Sequence, residues 1–253
     1  MILDNFQLSG RVAIVSGCNT GLGQGMALAL AQAGADIVGV NVSAPEDTKT
    51  QVEALGRKFL DLRANLSNIS SLDGLIDQAL TLTGKVDILV NNAGIIRRED
   101  AINFSEKDWD DVTDLNLKTV FFFSQKVAKR FIAQGSGGKI INIASMLSFQ
   151  GGVRVPSYTA SKSGVMGITR ALANEWAKHG INVNAIAPGY MATDNTAALR
   201  SDDARNAAIL ERIPSARWGL PADLAGPIVF LASKASDYVN GYTIAVDGGW
   251  LAR

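Results

Sequence analysis

Short apolar runs rich in Val and Ile recur along the chain, separated by longer stretches in which apolar positions return every three to four residues. Runs that are apolar at consecutive positions predict strands buried on both faces, as in a parallel sheet covered by helices. They fall at Val12–Ser16, Ile37–Asn41, Lys58–Ala64, Ile88–Asn91, Lys139–Ala144, Asn182–Ile186 and Thr243–Val246. The longer stretches predict helices over Leu22–Ala33, Pro45–Leu55, Ser70–Thr83, Glu106–Gln134 in two pieces, Ser157–Lys178, Asp202–Glu211 and Pro221–Ala232. Such alternation predicts an α/β fold, a doubly wound parallel sheet of about seven strands with helices on both faces, whose ligands sit beyond the C-terminal strand ends. No linker, low-complexity run or internal repeat divides the chain, so one domain spanning residues 1–253 is expected.

Composition narrows the function more than the fold. At 47% hydrophobic residues the chain can bury a large core, and 24 Lys+Arg against 24 Asp+Glu remove the electrostatic argument for a nucleic-acid or anionic-membrane partner. The N-terminus MILDNFQLSG lacks a basic region and an apolar core, and nowhere do 18 uninterrupted apolar residues occur, which predicts a soluble protein retained in the cytoplasm. Cys18 is the only cysteine, and no Cys/His cluster has zinc spacing, so neither a disulfide nor a metal is expected. The single histidine, His179, precedes Gly180 where a helix ends, a position that suits a helix C-terminus better than catalysis. Proton transfer must then come from Tyr, Lys, Asp or Glu.

The first strand runs into Ser16-Gly17-Cys18-Asn19-Thr20-Gly21-Leu22-Gly23, directly before a helix. Glycines serve where a chain turns sharply and where backbone approaches a pyrophosphate, and the helix N-terminus then adds unpaired N–H donors. Three glycines in a tight turn are a weak signal alone; at the opening of an N-terminal βαβ unit they point to a dinucleotide. The second strand ends at Asn41, which can bond a ribose hydroxyl and carries no charge to repel a phosphate. No Arg or Lys stands in the glycine turn or just after Asn41, which favours NAD over NADP. After the fourth strand comes Asn91-Asn92-Ala93-Gly94, where the amides suit bonds to neighbouring backbone while Ala93 and Gly94 allow a cofactor to pass.

Tyr158 and Lys162 stand at i and i+4 near the start of a predicted helix, on one face. An ammonium about 5 Å from a phenolate is worth roughly 3 kcal/mol at an effective dielectric near 20, about two pKa units, which brings the phenol toward neutral pH. The pair alone matches many surface helices. Ser145, at the end of the strand Lys139–Ala144, comes out on the side where the glycine turn holds a cofactor, although taken singly it also suits a turn or cap. Asn116, which interrupts a helical pattern, is equally compatible with a solvated kink.

Together these residues resemble the short-chain dehydrogenase/reductase family over nearly the whole chain. The matching set is Gly17, Gly21 and Gly23, Asn91-Asn92-Ala93-Gly94, Asn116, Ser145, Tyr158, Lys162, and Pro188-Gly189 followed by Thr193. The resemblance implies a Rossmann fold and hydride transfer between a nicotinamide and an alcohol or ketone. It implies that Tyr158 exchanges a proton with the substrate oxygen, Ser145 bonds that oxygen, Lys162 binds the nicotinamide ribose and lowers the tyrosine pKa, and Asn116 orders a water relay. Cofactor contacts are expected from Gly17, Asn19, Thr20, Gly21, Leu22, Gly23, Asn41, Asn65, Leu66, Asn92, Ala93, Gly94, Tyr158, Lys162, Pro188, Gly189, Met191 and Thr193. Asn41 and Asn65 depart from the family, which often has an acidic residue at each.

The substrate side is read from charge. Arg97 and Arg98 are either pocket residues or a solvated pair neutralised by Glu99 and Asp100; Arg154, with no carboxylate near it in sequence and four residues before Tyr158, is the favoured anchor for an anionic substrate group. With Ser145 and Tyr158 these three form the expected substrate-binding set. The stretches MLSFQGGVRVPSYTASKSGVMG, NNAGIIRREDA, APGYMATDN and NGYTIAVDGGWLAR resemble the family's sugar-acid members. That implies interconversion of 3-deoxy-2,5-diketogluconate and 2-keto-3-deoxygluconate with NAD(H), as in pectin and uronate catabolism. Competing readings are an NADPH-dependent 3-ketoacyl-carrier reductase, which prefers a basic residue near Asn41, and a non-catalytic dinucleotide sensor, which has no need of Ser145, Tyr158 and Lys162 together. Ala192–Arg212 reads as a lid or as a plain surface connection. Small residues at Ala160, Ser163, Gly164 and Gly167 suit a helix-helix subunit contact, and the family resemblance implies a homotetramer.

Overall fold

A computed structural model describes all 253 residues. The strands β1 (Val12–Ser16), β2 (Asp36–Asn41), β3 (Phe59–Arg63), β4 (Ile88–Asn91), β5 (Gly138–Ile143), β6 (Ile181–Pro188) and β7 (Thr243–Val246) form one parallel sheet in the order β3-β2-β1-β4-β5-β6-β7. The helices are α1 (Gly21–Gln32), α2 (Glu46–Ala54), α3 (Leu72–Leu80), α4 (Glu106–Thr113), α5 (Thr119–Gln134), α6 (Pro156–Trp176), α7 (Ala197–Ser201), α8 (Asp203–Arg212) and α9 (Ala225–Ala232). Strand order reverses between β1 and β4, and a crevice for ligands opens beyond the strand ends at such a point.

The consecutive apolar residues of each strand are explained by two separate cores. Ala13 and Val15 of β1 enter one cluster with Met26 and Leu30 of α1 and Ile228 and Leu231 of α9. Val12 and Ile14 enter the other, with Leu75 of α3, Phe123 and Phe131 of α5 and Leu172 of α6. Side chains alternate across a strand, so a sheet covered on both sides takes apolar residues on both of its faces. Each such fully buried side chain stabilises the fold by about 1.5–3 kcal/mol.

Every predicted strand is present, with ends shifted by no more than the last two residues of β6. Pro221–Leu224 forms a 3-10 turn ahead of α9, and α7 is an additional short helix in the polar, Ala-rich stretch. The predicted helix Glu106–Gln134 is not broken: α4 and α5 are joined by a π turn over Asp114–Lys118. His179 is exposed beside Gly180, which caps the helix at φ +70°. No helix is long and apolar enough to cross a membrane.

Candidate active site

At the end of β1 the chain turns through Gly17 and Gly21 at φ +66° and +59°, a region that L-residues with a side chain avoid. Gly23 is required for another reason: a Cβ there would strike the Gly17 carbonyl oxygen and the Asn92 amide. Thr20 does not cap α1 with its side chain, which leaves the N–H groups of Gly21, Leu22 and Gly23 without helical partners at the positive end of the helix dipole. Free donors in a glycine cradle fit a dinucleotide pyrophosphate. Thr193 approaches the same cradle, its Cγ2 lying 3.7 Å from where a Cβ on Gly21 would stand.

Asparagines brace this cradle. Asn92 Nδ2 donates to the carbonyls of Ser16 (3.0 Å) and Gly17 (2.9 Å), while Ser16 Oγ accepts from the N–H groups of Asn92 and Ala93, both at 3.0 Å. Asn91 Nδ2 donates to Asn142 Oδ1 (2.8 Å) and Ser124 Oγ (3.0 Å), and Asn142 Nδ2 donates onward to Thr169 Oγ1 (2.9 Å). Asn41, read from sequence as a ribose contact, is buried, and its Oδ1 accepts from the Cys18 N–H at 2.8 Å. The reason lies in its neighbour on the strand: Gly39, on the same sheet face, leaves a space that Cys18 Sγ and Asn41 Nδ2 fill. Burial pushes the Cys18 thiol up to about 11, so it stays protonated at neutral pH.

Among the other expected cofactor contacts, Asn19 donates to Ser43 Oγ (2.8 Å), and Asn65 is exposed, its Oδ1 accepting from the Ser67 N–H (3.1 Å). Leu66 and Met191 are buried, which leaves their backbone as what they can offer a ligand. Gly189 N–H donates to the Val246 carbonyl (3.0 Å) just after Pro188 ends β6, and a Cβ on Gly189 would meet Asp247.

The catalytic candidates converge where β5, the π turn and α6 meet. Ser145 follows β5 and opens a 3-10 turn, its Oγ accepting from the Leu147 N–H at 3.1 Å and facing the Tyr158 phenol closely enough to lower its pKa. Tyr158 lies in the first turn of α6, started by Pro156. Lys162, one turn on, is buried, and its Nζ donates to the Ile143 carbonyl at 2.6 Å and stands 5.6 Å from the centre of the Tyr158 ring. Asn116 is fully buried in the π turn and not solvated; its amide grips residue 95 through both atoms, Oδ1 accepting from the Ile95 N–H (2.9 Å) and Nδ2 donating to the Ile95 carbonyl (2.8 Å). Single π turns concentrate at functional sites.

The electrostatics differ from the sequence expectation. Burial holds the Tyr158 phenol above its ordinary value, opposed by the Ser145 hydrogen bond and by the charge of Arg98. Burial pushes the neighbouring Lys162 ammonium down to about 8, and its Nζ donates to the Ile143 carbonyl.

The three arginines also sort differently. Arg97 pairs with Asp108 (3.4 Å) and Asp111 (3.8 Å). Arg154, which has no carboxylate near it in sequence, has two supplied by the fold: Glu99 (3.4 Å) and Asp100 (2.9 Å). Arg98 has none; its Nη2 donates only to the Asn195 carbonyl at 3.4 Å. Asn195, Glu99 and Asp100 are the members of this surround that sequence reasoning did not assign. The two carboxylates were noted beside Arg97 and Arg98, but nothing local pointed them at residue 154.

A glycine cradle for a dinucleotide, set beside a serine, tyrosine and lysine on a doubly wound sheet, defines a nicotinamide-type oxidoreductase site, and a family model described as enoyl-(acyl carrier protein) reductase matches residues 17–251. The chain belongs to the short-chain dehydrogenase/reductase family. It is 73% identical, over the full length of both chains, to 2-dehydro-3-deoxy-D-gluconate 5-dehydrogenase of Escherichia coli (strain K12). Among solved structures it is similar to one described as a 2-deoxy-D-gluconate 3-dehydrogenase from Agrobacterium tumefaciens with bound NADP, at 56% identity and TM-score 0.94, covering 99% of this chain and 100% of that one. A gluconate 5-dehydrogenase from Burkholderia cenocepacia in complex with NADP and tartrate superposes with TM-score 0.94 at 37% identity over the whole of both chains.

Proposed function

We propose that the protein is a cytoplasmic, NAD(H)-using dehydrogenase that interconverts 2-dehydro-3-deoxy-D-gluconate (2-keto-3-deoxygluconate) and its 5-keto counterpart, 3-deoxy-2,5-diketogluconate. The observation that carries this reading is Arg98: of the three arginines on the substrate side it alone lacks a carboxylate partner, and its charge acts on the Tyr158 phenol. A cation left free beside the acid/base group suits a substrate whose reacting alcohol and carboxylate belong to one small molecule. Full-length similarity to an enzyme of that name, and a relative's complex with the hydroxy-dicarboxylate tartrate, support the same class.

In the oxidative direction Tyr158 takes the proton of the C5 hydroxyl while Ser145 bonds the same oxygen and orients it. In the reductive direction Tyr158 returns that proton. The nicotinamide, when bound, supplies the acceptor or donor of the hydride. Lys162, with one N–H held by Ile143, has others for ribose hydroxyls. Gly17, Gly21 and Gly23 admit the pyrophosphate, and Asn116 fixes the backbone at residue 95, where the substrate loop begins.

For cofactor choice, the only arginine in register with Asn41 is Arg63, and it is paired with Asp61 at 2.7 Å. Beyond Asn41 the rim is the exposed Val42 and Ser43. No free cation waits there for a 2′-phosphate, which supports NAD. The relatives' NADP supports the second reading, since a neutral rim does not repel phosphate either. The ratio of kcat/KM for NADH and NADPH separates the two, and a strong NADPH preference overturns the first.

The substrate reading is tested by Arg98→Met: KM for 2-dehydro-3-deoxy-D-gluconate rises about tenfold or more while turnover of a neutral ketone is little changed. Equal effects on both sink it. The oligomer is proposed to be a homotetramer, with the exposed Ala160, Ser163 and Gly167 of α6 in a subunit contact. Gly164, half-buried, faces Leu117 of the same chain.

A further inference from the structure

Arg97, Arg98 and Arg154 differ in what neutralises them, and Arg154 organises the difference. Glu99 and Asp100 directly follow Arg98 in the chain, so they are its nearest competitors for any incoming anion. Left unpaired, two carboxylates at that distance cancel much of its charge. The structure turns both away, Glu99 Oε1 to Arg154 Nη2 at 3.4 Å and Asp100 Oδ1 to Arg154 Nε at 2.9 Å.

Arg154 occupies an unusual place to do so. Its φ is +64°, in the left-handed region that favours glycine. Two glycines, Gly151 and Gly152, stand just before it, so an arginine at this position is a departure from the easier choice. Strained residues of this kind concentrate where the surrounding structure over-determines them, at functional sites. Here the surroundings are explicit: the Arg154 carbonyl accepts from the Glu99 N–H at 3.1 Å, so backbone and side chain together join the loop carrying Arg98 to the turn that leads into α6 and Tyr158.

We propose that Arg154 is a positioning residue: by pairing with Glu99 and Asp100 it withdraws both carboxylates from Arg98, which therefore meets the substrate carboxylate as an uncompensated cation. The inference rests on the proposed anchor role of Arg98. It reverses the expectation that Arg154 itself grips the substrate, and the two roles predict opposite results when the carboxylates are removed.

The test compares Arg154→Gln, Arg154→Gly and the triple variant Arg154→Gln/Glu99→Gln/Asp100→Asn, with Arg98→Met alongside, all assayed with 2-dehydro-3-deoxy-D-gluconate. Both single substitutions at 154 raise KM about tenfold with a smaller change in kcat, since they release the carboxylates onto Arg98. The glycine variant guards against misfolding, because it adopts the positive φ freely. The triple variant restores KM to within about threefold of the parent, because no carboxylate remains to compete. A triple variant as impaired as Arg154→Gln shows Arg154 to be a direct anchor and overturns the proposal, as does an unchanged KM in both single variants at 154. If Arg98→Met leaves KM unaltered, the anchor reading itself fails, whatever the variants at residue 154 do.

Discussion

The two sides of the crevice are made of different materials. Around the glycine turn the polar contacts are neutral: Asn41, Asn92 and Ser16 bond backbone, and Asn91 bonds the side chains of Asn142 and Ser124, at 2.8–3.0 Å. On the side of Arg98, whose charge acts on the phenol, they are charged, with Arg97, Arg98, Glu99 and Asp100 from one loop and Arg154 from another, all at least partly exposed. Neutral amides on backbone hold a shape with little dependence on salt or pH, while exposed ion pairs are weak and exchange partners easily. The cofactor side is therefore a fixed cradle, and the substrate side is an electrostatic balance that a bound carboxylate can tip.

Three substitutions probe that division, in decreasing order of effect. Tyr158→Phe removes the proton carrier and leaves the cradle intact, so turnover falls by at least about a hundredfold while NADH affinity, measured by fluorescence titration, stays near the parent value. Retained turnover would falsify the assignment. Gly23→Ala strikes the opposite side: its Cβ collides with the Gly17 carbonyl and Asn92, and an overpacking penalty of about 2 kcal/mol weakens NADH binding roughly thirtyfold. Normal NADH affinity in that variant would mean that the cradle yields, against the picture of a fixed shape.

Lys162 links the two sides and supplies the smallest effect. Its ammonium is buried with a carbonyl as its only recorded partner, and its pKa is lowered to about 8. A lysine whose folded pKa lies below its unfolded value near 10.5 destabilises the fold fully below pH 8, less as pH rises between the two values, and not at all above them. Lys162→Met should therefore stabilise the cofactor-free protein at pH 7 by about 1–2 kcal/mol, roughly 3–6 °C in Tm, even as it removes activity. The gain shrinks as the melt is repeated toward pH 10. A Tm that falls at pH 7 shows that the Ile143 bond outweighs the burial penalty.

The same division accounts for what was legible in the chain. The apolar runs marked the strands because a sheet with two cores buries both strand faces, as Val12 and Ala13 show by entering opposite clusters, while polar strand residues such as Asn91 and Asn142 are buried by bonding one another. Gly17, Gly21, Gly23, Ser145, Tyr158 and Lys162 were found by spacing because each depends on a turn, strand end or helix within a few residues. Asn41 stands at the expected strand end, but its bond to Cys18 was not legible, since the direction of its amide depends on the absent side chain of Gly39 and on Cys18. The ion pairs of Arg154 were hidden for a related reason: its carboxylates lie more than fifty residues away, joined by a loop-to-loop contact that no local pattern encodes. Asn116 was seen as an interruption of a helix, but its burial follows from a change of helical winding that hydrophobic periodicity only hints at.

That winding has a consequence for anyone who would redraw the protein. A π turn holds one residue more than an α turn, so α5 is rotated by about 100° from the phase that α4 would otherwise impose on it. Winding residues 114–118 as ordinary α-helix with no residue removed would swing Phe123 and Phe131 off the sheet; deleting one residue there would keep those rings in place but lose the local bulge that aims the Asn116 amide at Ile95. The irregularity is a mechanical phase-shifter: it lets one uninterrupted shaft serve two mountings that a straight helix of the same length could not satisfy together.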